Sequence, residues 1–228
     1  MNHVATGWDI GGVHLKAAHL LRSGRHIRLL FREQPFEIWR EPQRLAPTLR
    51  RLGAHAGDAG AHAVTLTAEL SDVFPGRAAG VRAVLAAVTE ALDTTPFRVL
   101  DTQGALLPAA AARRAPLRVA SANWMATALL AARHVRRGLL VDIGSTTTDI
   151  VPFAGGRPRP EGTEDRRRLM SGELVYSGVL RTPPAALAAT VPLPGGPCRT
   201  IPEHFTQMGD VYVILGRLTP REYTAATP

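Results

Sequence analysis

An α/β fold with mixed β-sheets is the class that this 228-residue sequence predicts, from three patterns along the chain. Strand-length apolar runs alternate with glycine turns near the start, which is typical of an antiparallel meander. Amphipathic segments with helical spacing follow these strands. A second strand–turn–strand unit then appears in the later half. Strand meanders joined by helices exclude a helical bundle and an all-β sandwich.

The first predicted cycle is a meander followed by helices and strands in alternation. Glycine turns separate its three opening strands, and leucine or valine recurs at helical spacing in its two helices. In chain order we expect strands over 4–9, 13–20 and 26–32, a helix over 42–52, a strand over 63–67, a helix over 77–92, a strand over 97–101 and a connector or poor helix over 106–118.

The second predicted cycle repeats the pattern with more irregular segments. Its hairpin turns at a Gly-Ser-Thr sequence, and charged or proline-rich stretches follow. We expect a helix over 122–135, strands over 138–142 and 147–153, a charged, solvated loop over 162–168, a strand or short helix over 173–180, a Pro/Gly-rich stretch over 183–202 and a helix over 205–215.

Composition limits the classes of function. The net charge is +8, but Lys16 is the one lysine among 27 Lys and Arg residues, so the excess of arginine indicates codon bias. Aromatic residues make up 5% of the chain and do not alternate with the basic runs 133–137 and 166–168, so we expect no nucleic-acid partner. The lone Cys198 excludes an internal disulfide and a cysteine zinc site.

Targeting signals are not evident in the sequence. The first ten residues lack a basic segment followed by an apolar one, and the longest apolar runs, such as 126–132, are shorter than the roughly 20 residues of a membrane span. We therefore expect a cytoplasmic protein without a membrane partner, and a homo-oligomer stays open.

One motif occurs twice. Asp9-Ile10-Gly11-Gly12 recurs as Asp142-Ile143-Gly144-Ser145, each time between an apolar run and a second strand. A single Asp-x-Gly turn is typical of an ordinary capped hairpin. Two matching copies, one with a Ser/Thr run and the other with the only lysine, indicate a shared function.

Phosphate is the ligand that such hairpins fit. Glycine turns expose backbone N–H groups to an anion, hydroxyl groups add donors, and an aspartate at a strand end can hold Mg²⁺. Lys16 could reach a phosphate across the first hairpin. The candidate phosphate-binding residues are Asp9, Gly11, Gly12, Lys16, Gly144, Ser145, Thr146, Thr147 and Thr148, and the candidate Mg²⁺ ligands are Asp9 and Asp142.

The paired motifs resemble the phosphate hairpins of the actin-like and sugar-kinase superfamily. Within it, the sequence is similar to the hydantoinase/oxoprolinase-related proteins of tetrahydromethanopterin-linked one-carbon transfer. The blocks that carry this likeness are 7–12, 15–18, 65–72, 120–124, 141–151, 171–183 and 209–212.

The resemblance implies an actin-like ATPase fold made of two ribonuclease-H-like lobes, 1–119 and 120–228, the second one shortened. It also implies a synthase of methanofuran or methylofuran biosynthesis. Such an enzyme joins an (aminomethyl)furanmethyl diphosphate to γ-glutamyltyramine and releases pyrophosphate. Hairpins that hold Mg²⁺ suit a diphosphate leaving group. The adenosine-binding glycine pair typical of the superfamily is not found, so ATP is not the expected cofactor.

Three carboxylates are the catalytic candidates. Glu69 and Asp72 follow the strand over 63–67, where either could act as a base for the phenol or hold the substrate amine. Asp149 ends the second motif. Asp72 could instead have a structural role, in which its carboxylate caps a local turn. The rival functions are an ATP-dependent hydantoinase/oxoprolinase-type hydrolase, a small-molecule kinase and a non-catalytic scaffold.

Overall fold

A six-stranded sheet is the framework of the first part of the chain. The computed structural model describes residues 2–54, 60–93, 95–202 and 206–223, with the backbone alone for residues 2 and 3. The strands of this sheet are β1 (Asn2–Ile10), β2 (His14–Ser23), β3 (His26–Pro35), β4 (Ala61–Leu66), β5 (Phe97–Leu100) and β6 (Leu106–Pro108), in the spatial order β3-β2-β1-β4-β5-β6.

Parallel and antiparallel pairs are combined in this sheet. Strands β1, β2 and β3 form an antiparallel meander, whereas β4 lies parallel to β1 and β5 parallel to β4. Parallel neighbours need a crossover connection, which α1 (Leu45–Gly53) and α2 (Arg77–Leu92) provide. The predicted α/β class with a mixed sheet is confirmed, and this arrangement suits a ribonuclease-H-like lobe.

The core lies between one face of the sheet and these two helices. Alternate residues of the central strands point into it, because successive side chains of a strand point to opposite faces. The buried side chains come from β1, β2 and β4 on one side and from α1 and α2 on the other; they include Trp8, Ile10, Leu15, Ala17, Val64, Leu66, Leu45, Leu49, Val81, Val84, Leu85 and Val88.

The connector predicted over 106–118 is more regular than expected. It contains β6, the helix α3 (Ala109–Arg114) and a 3-10 turn over Pro116–Arg118. The proline-flanked, alanine-rich sequence gives no clear period, but β6 pairs with β5 and the Arg113 guanidinium donates to the carbonyl of Leu85 in α2. These contacts between distant residues organise the segment.

The whole chain divides into two compact units, 1–131 and 132–228. Helix α4 (Asn123–His134) contains the boundary between them. The second unit is built on the hairpin of β7 (Arg137–Ile143) and β8 (Thr148–Ala154). Its other elements are β9 (Arg157–Pro158), α5 (Asp165–Ser171), β10 (Leu174–Val175), α6 (Pro184–Leu187), β11 (Thr190–Leu193), β12 (Gly196–Arg199) and α7 (Met208–Ile214).

One expectation for the second unit is wrong, and a stretch known only by its composition forms regular elements. The stretch 162–168, predicted as a solvated loop, leads into α5, and the Arg168 side chain in this helix is buried. The Pro/Gly-rich stretch 183–202 contains α6 and the hairpin of β11 and β12. In each case hydrogen bonds to residues distant in sequence or across a turn decide the structure, and local composition does not reveal them.

The described part of the chain contains no helix with the length and apolar character needed to cross a bilayer.

Gly80 in α2 offers a test of how closely this helix approaches the segment after β4. A Cβ at Gly80 would lie 2.7 Å from the carbonyl oxygen of Glu69 and 2.9 Å from the Phe74 ring. We expect Gly80→Ala to lower the free energy of unfolding by about 1–3 kcal/mol, although alanine is the better helix former. Urea denaturation measures this. Gly7→Ala is the control, because nothing lies within 4 Å of a Cβ there; equal stability of Gly80→Ala and the unmodified chain would contradict the close approach.

Candidate functional site

The first hairpin turns tightly at Gly11. The N–H of Gly11 donates to the carbonyl of His14 at 3.0 Å, which closes the turn between β1 and β2. A Cβ at Gly11 would lie 2.8 Å from that same carbonyl oxygen. Only glycine fits this position, which explains why the motif carries it.

Asp9 and Lys16 face each other across this hairpin. They are paired residues of β1 and β2, and the Lys16 ammonium lies 3.7 Å from Asp9 Oδ2. The Thr65 hydroxyl lies 3.3 Å from Asp9 Oδ1 and donates there and to the carbonyl of Trp8. Burial raises the pKa of Asp9 above its ordinary value, and the Lys16 charge opposes this rise. The structure thus brings the first aspartate and the only lysine together at one strand end.

The second hairpin has the same turn. The N–H of Gly144 donates to the carbonyl of Thr147 at 2.8 Å, the counterpart of the bond made by Gly11. A Cβ at Gly144 would lie 3.1 Å from that oxygen. In the ladder of β7 and β8, Asp142 pairs with Asp149, so the residue opposite the motif aspartate is here a second carboxylate.

Backbone donors at both turns have no acceptor within the described residues. These are the N–H groups of Gly12 and Val13 in the first turn and of Ser145, Thr146 and Thr147 in the second. Consecutive N–H groups without acceptors form a concavity that suits a phosphate oxygen. Phosphate binding at these positions stays a prediction, and open N–H groups are compatible with it.

Backbone N–H groups of residues 179–181 donate hydrogen bonds to carbonyl groups of the second turn. The N–H of Val179 donates to the carbonyl of Gly144 at 3.0 Å, and the N–H of Arg181 donates to that of Ser145 at 2.9 Å. The Thr148 hydroxyl donates to the carbonyl of Ser177 at 2.6 Å. The one hydroxyl proton of Thr148, a predicted phosphate donor, is thus used inside the protein, whereas the N–H side of the turn stays open.

Asp149, a predicted catalytic residue, is partly buried and forms an ion pair with the buried Arg168. Its Oδ1 accepts a hydrogen bond of 2.8 Å from Nη1 of Arg168, and Nη2 of Arg168 donates to the carbonyl of Glu173 at 2.9 Å. Burial raises the pKa of Asp149, the Arg168 contact lowers it, and the neighbouring Asp142 charge raises it further. No pattern in the sequence distinguishes Arg168 from the other arginines, because it stands in a run of three.

Glu69 lies in a buried cluster with Ser121 and Arg77. Its Oε1 accepts from the Ser121 N–H at 2.7 Å and from the Ser121 hydroxyl at 3.0 Å, and Nη2 of Arg77 lies 3.9 Å away. Ser121 adopts the left-handed conformation, with φ +49°, which presents both of its donors to one oxygen. Glu69 Oε2 is buried and has no hydrogen-bond partner in the described residues.

This surrounding changes the acidity of Glu69. Burial is the dominant effect and raises its pKa from 4.5 to about 7, against the hydrogen bonds from Ser121 and the Arg77 charge. Because Oε1 already accepts two hydrogen bonds, the proton of the neutral form belongs on Oε2. Asp72, by contrast, is exposed, and its carboxylate accepts no hydrogen bond from the described residues, so the turn cap considered above is not seen.

The described residues do not form a complete magnesium site by themselves. The described residues contain no group of three or more His, Cys, Asp or Glu side chains that could hold a metal ion. Mg²⁺ is commonly held by one or two carboxylates together with substrate phosphates, so this arrangement is compatible with binding in the presence of a diphosphate. Asp142 fits such a role, because its carboxylate has no hydrogen-bond partner among the described residues.

Comparison with known proteins adds to this geometry. The family model described as Hydantoinase/oxoprolinase matches residues 60–228. The chain is 32% identical over its whole length to a protein of Methanocaldococcus jannaschii named (4-{4-[2-(gamma-L-glutamylamino)ethyl]phenoxymethyl}furan-2-yl)methanamine synthase, and covers 67% of it. A protein of the same name from Methanococcus vannielii is 39% identical over 90 residues, which is 40% of each chain.

Solved structures resemble the chain more distantly. A Ppx/GppA family member of Aquifex aeolicus matches with a TM-score of 0.41 and 14% identity, over 68% of this chain. The chain spans about half of that protein, 49% of its length.

Arg168 provides a test of its ion pair with Asp149. Arg168→Met removes the charged hydrogen bond to the partly buried Asp149 carboxylate, so we expect the free energy of unfolding to fall by about 1.5–3 kcal/mol. The control Arg166→Met lies in the same helix, where Arg166 is exposed, and we expect it to change stability by less than about 0.5 kcal/mol. Thermal and urea unfolding measure both variants. Similar stability of the two would show that Arg168 contributes no more than a surface arginine.

The raised pKa of Glu69 predicts how the stability of the protein depends on pH. Its pKa is about 7 in the folded protein and 4.5 without burial, so the folded state binds the extra proton between these values. Its contribution to stability is therefore complete below pH 4.5 and is lost as the pH rises through 7. We expect Glu69→Gln to flatten the fall in unfolding free energy between pH 5 and about pH 8. Urea denaturation across this range measures it, with the exposed Glu90→Gln as control; an unchanged slope in Glu69→Gln would refute the assignment.

Proposed function

The chain belongs to the hydantoinase/oxoprolinase family, and on that premise we propose that it is a synthase that forms an aryl ether at a furanylmethyl carbon. The observation that carries the proposal is the likeness over the whole chain to the Methanocaldococcus jannaschii synthase. The name of that relative describes a phenoxymethyl link between a γ-glutamyl tyramine unit and a furan. The substrates that give this link are a furanmethyl diphosphate and γ-glutamyltyramine.

The proposed reaction is a displacement. The phenol oxygen forms a bond to the furanylmethyl carbon while the bond from that carbon to the diphosphate oxygen breaks. The phenol proton passes to a base, and pyrophosphate leaves. Negative charge grows on the departing diphosphate, so donors that are already oriented toward it lower the barrier.

The two turns support this role. The N–H groups of Gly12 and Val13, and those of Ser145–Thr147, would donate to phosphate oxygens, and Lys16 would add a positive charge beside the first turn. Asp9 in the first unit and Asp142 in the second are each proposed as a ligand of Mg²⁺, and a bound ion would supply charge neutralisation for the leaving group.

Glu69 is the carboxylate that we propose as the base. A base is most useful when its pKa lies near the working pH, and burial places that of Glu69 at about 7. Oε2 is the oxygen available to take the proton. Asp149, fixed by Arg168, would instead hold the second hairpin in place. Asp72, exposed in the loop before α2, would contact the substrate amine.

The competing function is an ATP-dependent hydrolase of the hydantoinase/oxoprolinase type, which the description of the matching family favours. A small-molecule kinase is a related possibility. Both consume ATP, whereas the proposed synthase consumes a diphosphate substrate and needs no nucleotide.

Pyrophosphate release distinguishes these functions. With the furanmethyl diphosphate, γ-glutamyltyramine and Mg²⁺, we expect release that requires both substrates and no ATP. We expect Asp142→Ala and Lys16→Ala to lower kcat by about a hundredfold, because each removes charge stabilisation at the leaving group. The exposed Glu90→Ala in α2 is the control with unchanged turnover. ATP hydrolysis stimulated by a cyclic amide, without release from the diphosphate, would overturn the synthase.

A further inference from the structure

Glu69 is held by residues from three separate segments of the first unit. It lies in the 3-10 turn Ala68–Leu70 that follows β4, Arg77 is the first residue of α2, and Ser121 lies two residues before α4. The close approach of α2 also restrains the backbone here, since a Cβ at Gly80 would lie 2.9 Å from the Glu69 Cα. The carboxylate is therefore oriented by contacts on several sides.

The three side chains form a series of hydrogen bonds with one direction. Nη2 of Arg77 donates to the Ser121 hydroxyl oxygen at 2.9 Å, and that oxygen lies 3.0 Å from Glu69 Oε1. A guanidinium only donates, and a serine hydroxyl has a single proton. Because Arg77 occupies a lone pair of the Ser121 oxygen, the hydroxyl proton is directed to Glu69.

The two oxygens of Glu69 differ as a result. Oε1 accepts from the Ser121 N–H and from the Ser121 hydroxyl, whereas Oε2 is buried and accepts no hydrogen bond from the described residues. Hydrogen bonds to a carboxylate stabilise its charged form at the oxygen that accepts them. Oε2 is therefore the oxygen that is available to a proton.

The backbone of Ser121 adopts an unusual conformation in making these contacts. Its φ is +49°, in the left-handed region that residues other than glycine rarely adopt. Such conformations are unfavourable in isolation and occur preferentially at functional sites, where the surrounding structure maintains them. The strain at Ser121 is thus a second observation, separate from the hydrogen bonds, that points to a role at Glu69.

We propose, on the premise that Glu69 is the base of the proposed reaction, that Ser121 is a positioning residue which occupies Oε1 and leaves Oε2 to take the phenol proton. Arg77 is a second positioning residue, because it orients the Ser121 hydroxyl. The phenol O–H bond breaks, its electron pair stays on the phenol oxygen, and this oxygen bonds to the furanylmethyl carbon as pyrophosphate leaves. The proton on Oε2 passes to water after the ether product dissociates.

Ser121 and Arg77 also act on the acidity of Glu69. Burial raises the pKa of Glu69 to about 7, and the Ser121 hydrogen bonds and the Arg77 charge oppose this rise. Arg77 is the charged group that acts on Glu69 from α2, and the segment before α4 contributes the uncharged Ser121. Removal of either contact should raise the pKa further, so that the base is protonated and inactive over more of the range near neutral pH.

Two variants at Ser121 separate the hydroxyl from the backbone. Ser121→Gly keeps the N–H and adopts a positive φ without strain, whereas Ser121→Ala keeps the strain; both lose the hydroxyl. We expect each to raise the pH at which Glu69 titrates by about one unit. Carbon-13 NMR of the glutamate carboxyl groups measures this in the full chain without substrate, and Glu69→Gln identifies the signal. Circular dichroism verifies that each variant folds.

Arg77 is tested in the same way. We expect Arg77→Met to raise the titration of Glu69 by about one unit or less, because the charge and the orientation of the hydroxyl are both lost. The matched control is Arg82→Met in α2, where Arg82 is exposed, and it should leave the titration unchanged. Equal shifts in the two arginine variants would refute the role of Arg77.

Turnover provides a second readout. The acid limb of the pH profile of kcat/KM for pyrophosphate release should move upward in Ser121→Gly by the same amount as the NMR titration. In the Glu69→Gln background, Ser121→Gly should change kcat by less than about twofold, because a residue that acts through Glu69 has no further effect once that carboxylate is gone.

The two readouts distinguish this proposal from the proposed function. An unchanged titration of Glu69 in both Ser121 variants would overturn the positioning role, whatever the activity. A shifted titration, with no pyrophosphate release from the unmodified chain, would support the control of Glu69 by Ser121 and refute the synthase reaction. A shifted titration with an unmoved acid limb would show that another group is the base, and would overturn the proposal while the synthase reaction stands.

Discussion

The hydrogen bond that closes each glycine turn is the constraint on which the candidate site depends. Gly11 donates to His14 and Gly144 donates to Thr147, and a Cβ would lie 2.8 Å from the accepting oxygen in the first turn and 3.1 Å from it in the second. This bond uses the first N–H of the turn and directs the following ones outward. The chemistry proposed for the protein needs those N–H groups, so the absence of a side chain at one position makes the site possible.

The two hairpins share this backbone but differ in charge. Asp9 pairs with a lysine, whereas Asp142 pairs with a second aspartate whose charge is balanced by the buried Arg168. The first turn is therefore flanked by the Lys16 cation and the second by the Asp142 carboxylate, which accepts no hydrogen bond from the described residues. A cation suits direct attraction of a phosphate group, and a carboxylate suits the binding of Mg²⁺.

Much of the site could be predicted from the sequence because its signals are local. Each Asp-x-Gly turn is a motif of consecutive residues, the lone lysine follows the first copy on the next strand, and the meander of β1 to β3 follows from alternation and glycine turns. The contacts of Arg168 and Ser121 could not be predicted. Arg168 stands in a charged run typical of a solvated surface, and Ser121 reaches Glu69 across 52 positions, a pairing that no local pattern encodes.

The hydrogen bonds that support the second turn determine which of its neighbouring residues can be substituted. The bonds from Val179, Leu180 and Arg181 to the turn all start from backbone N–H groups, so they tolerate exchange of the side chains on those residues. Gly178 is different, because a Cβ there would lie 2.6 Å from the backbone of Ser145 and Thr146. Main-chain atoms thus provide almost all of the contacts that support the second turn. Gly178 is the position among these residues where a larger side chain would collide with the turn.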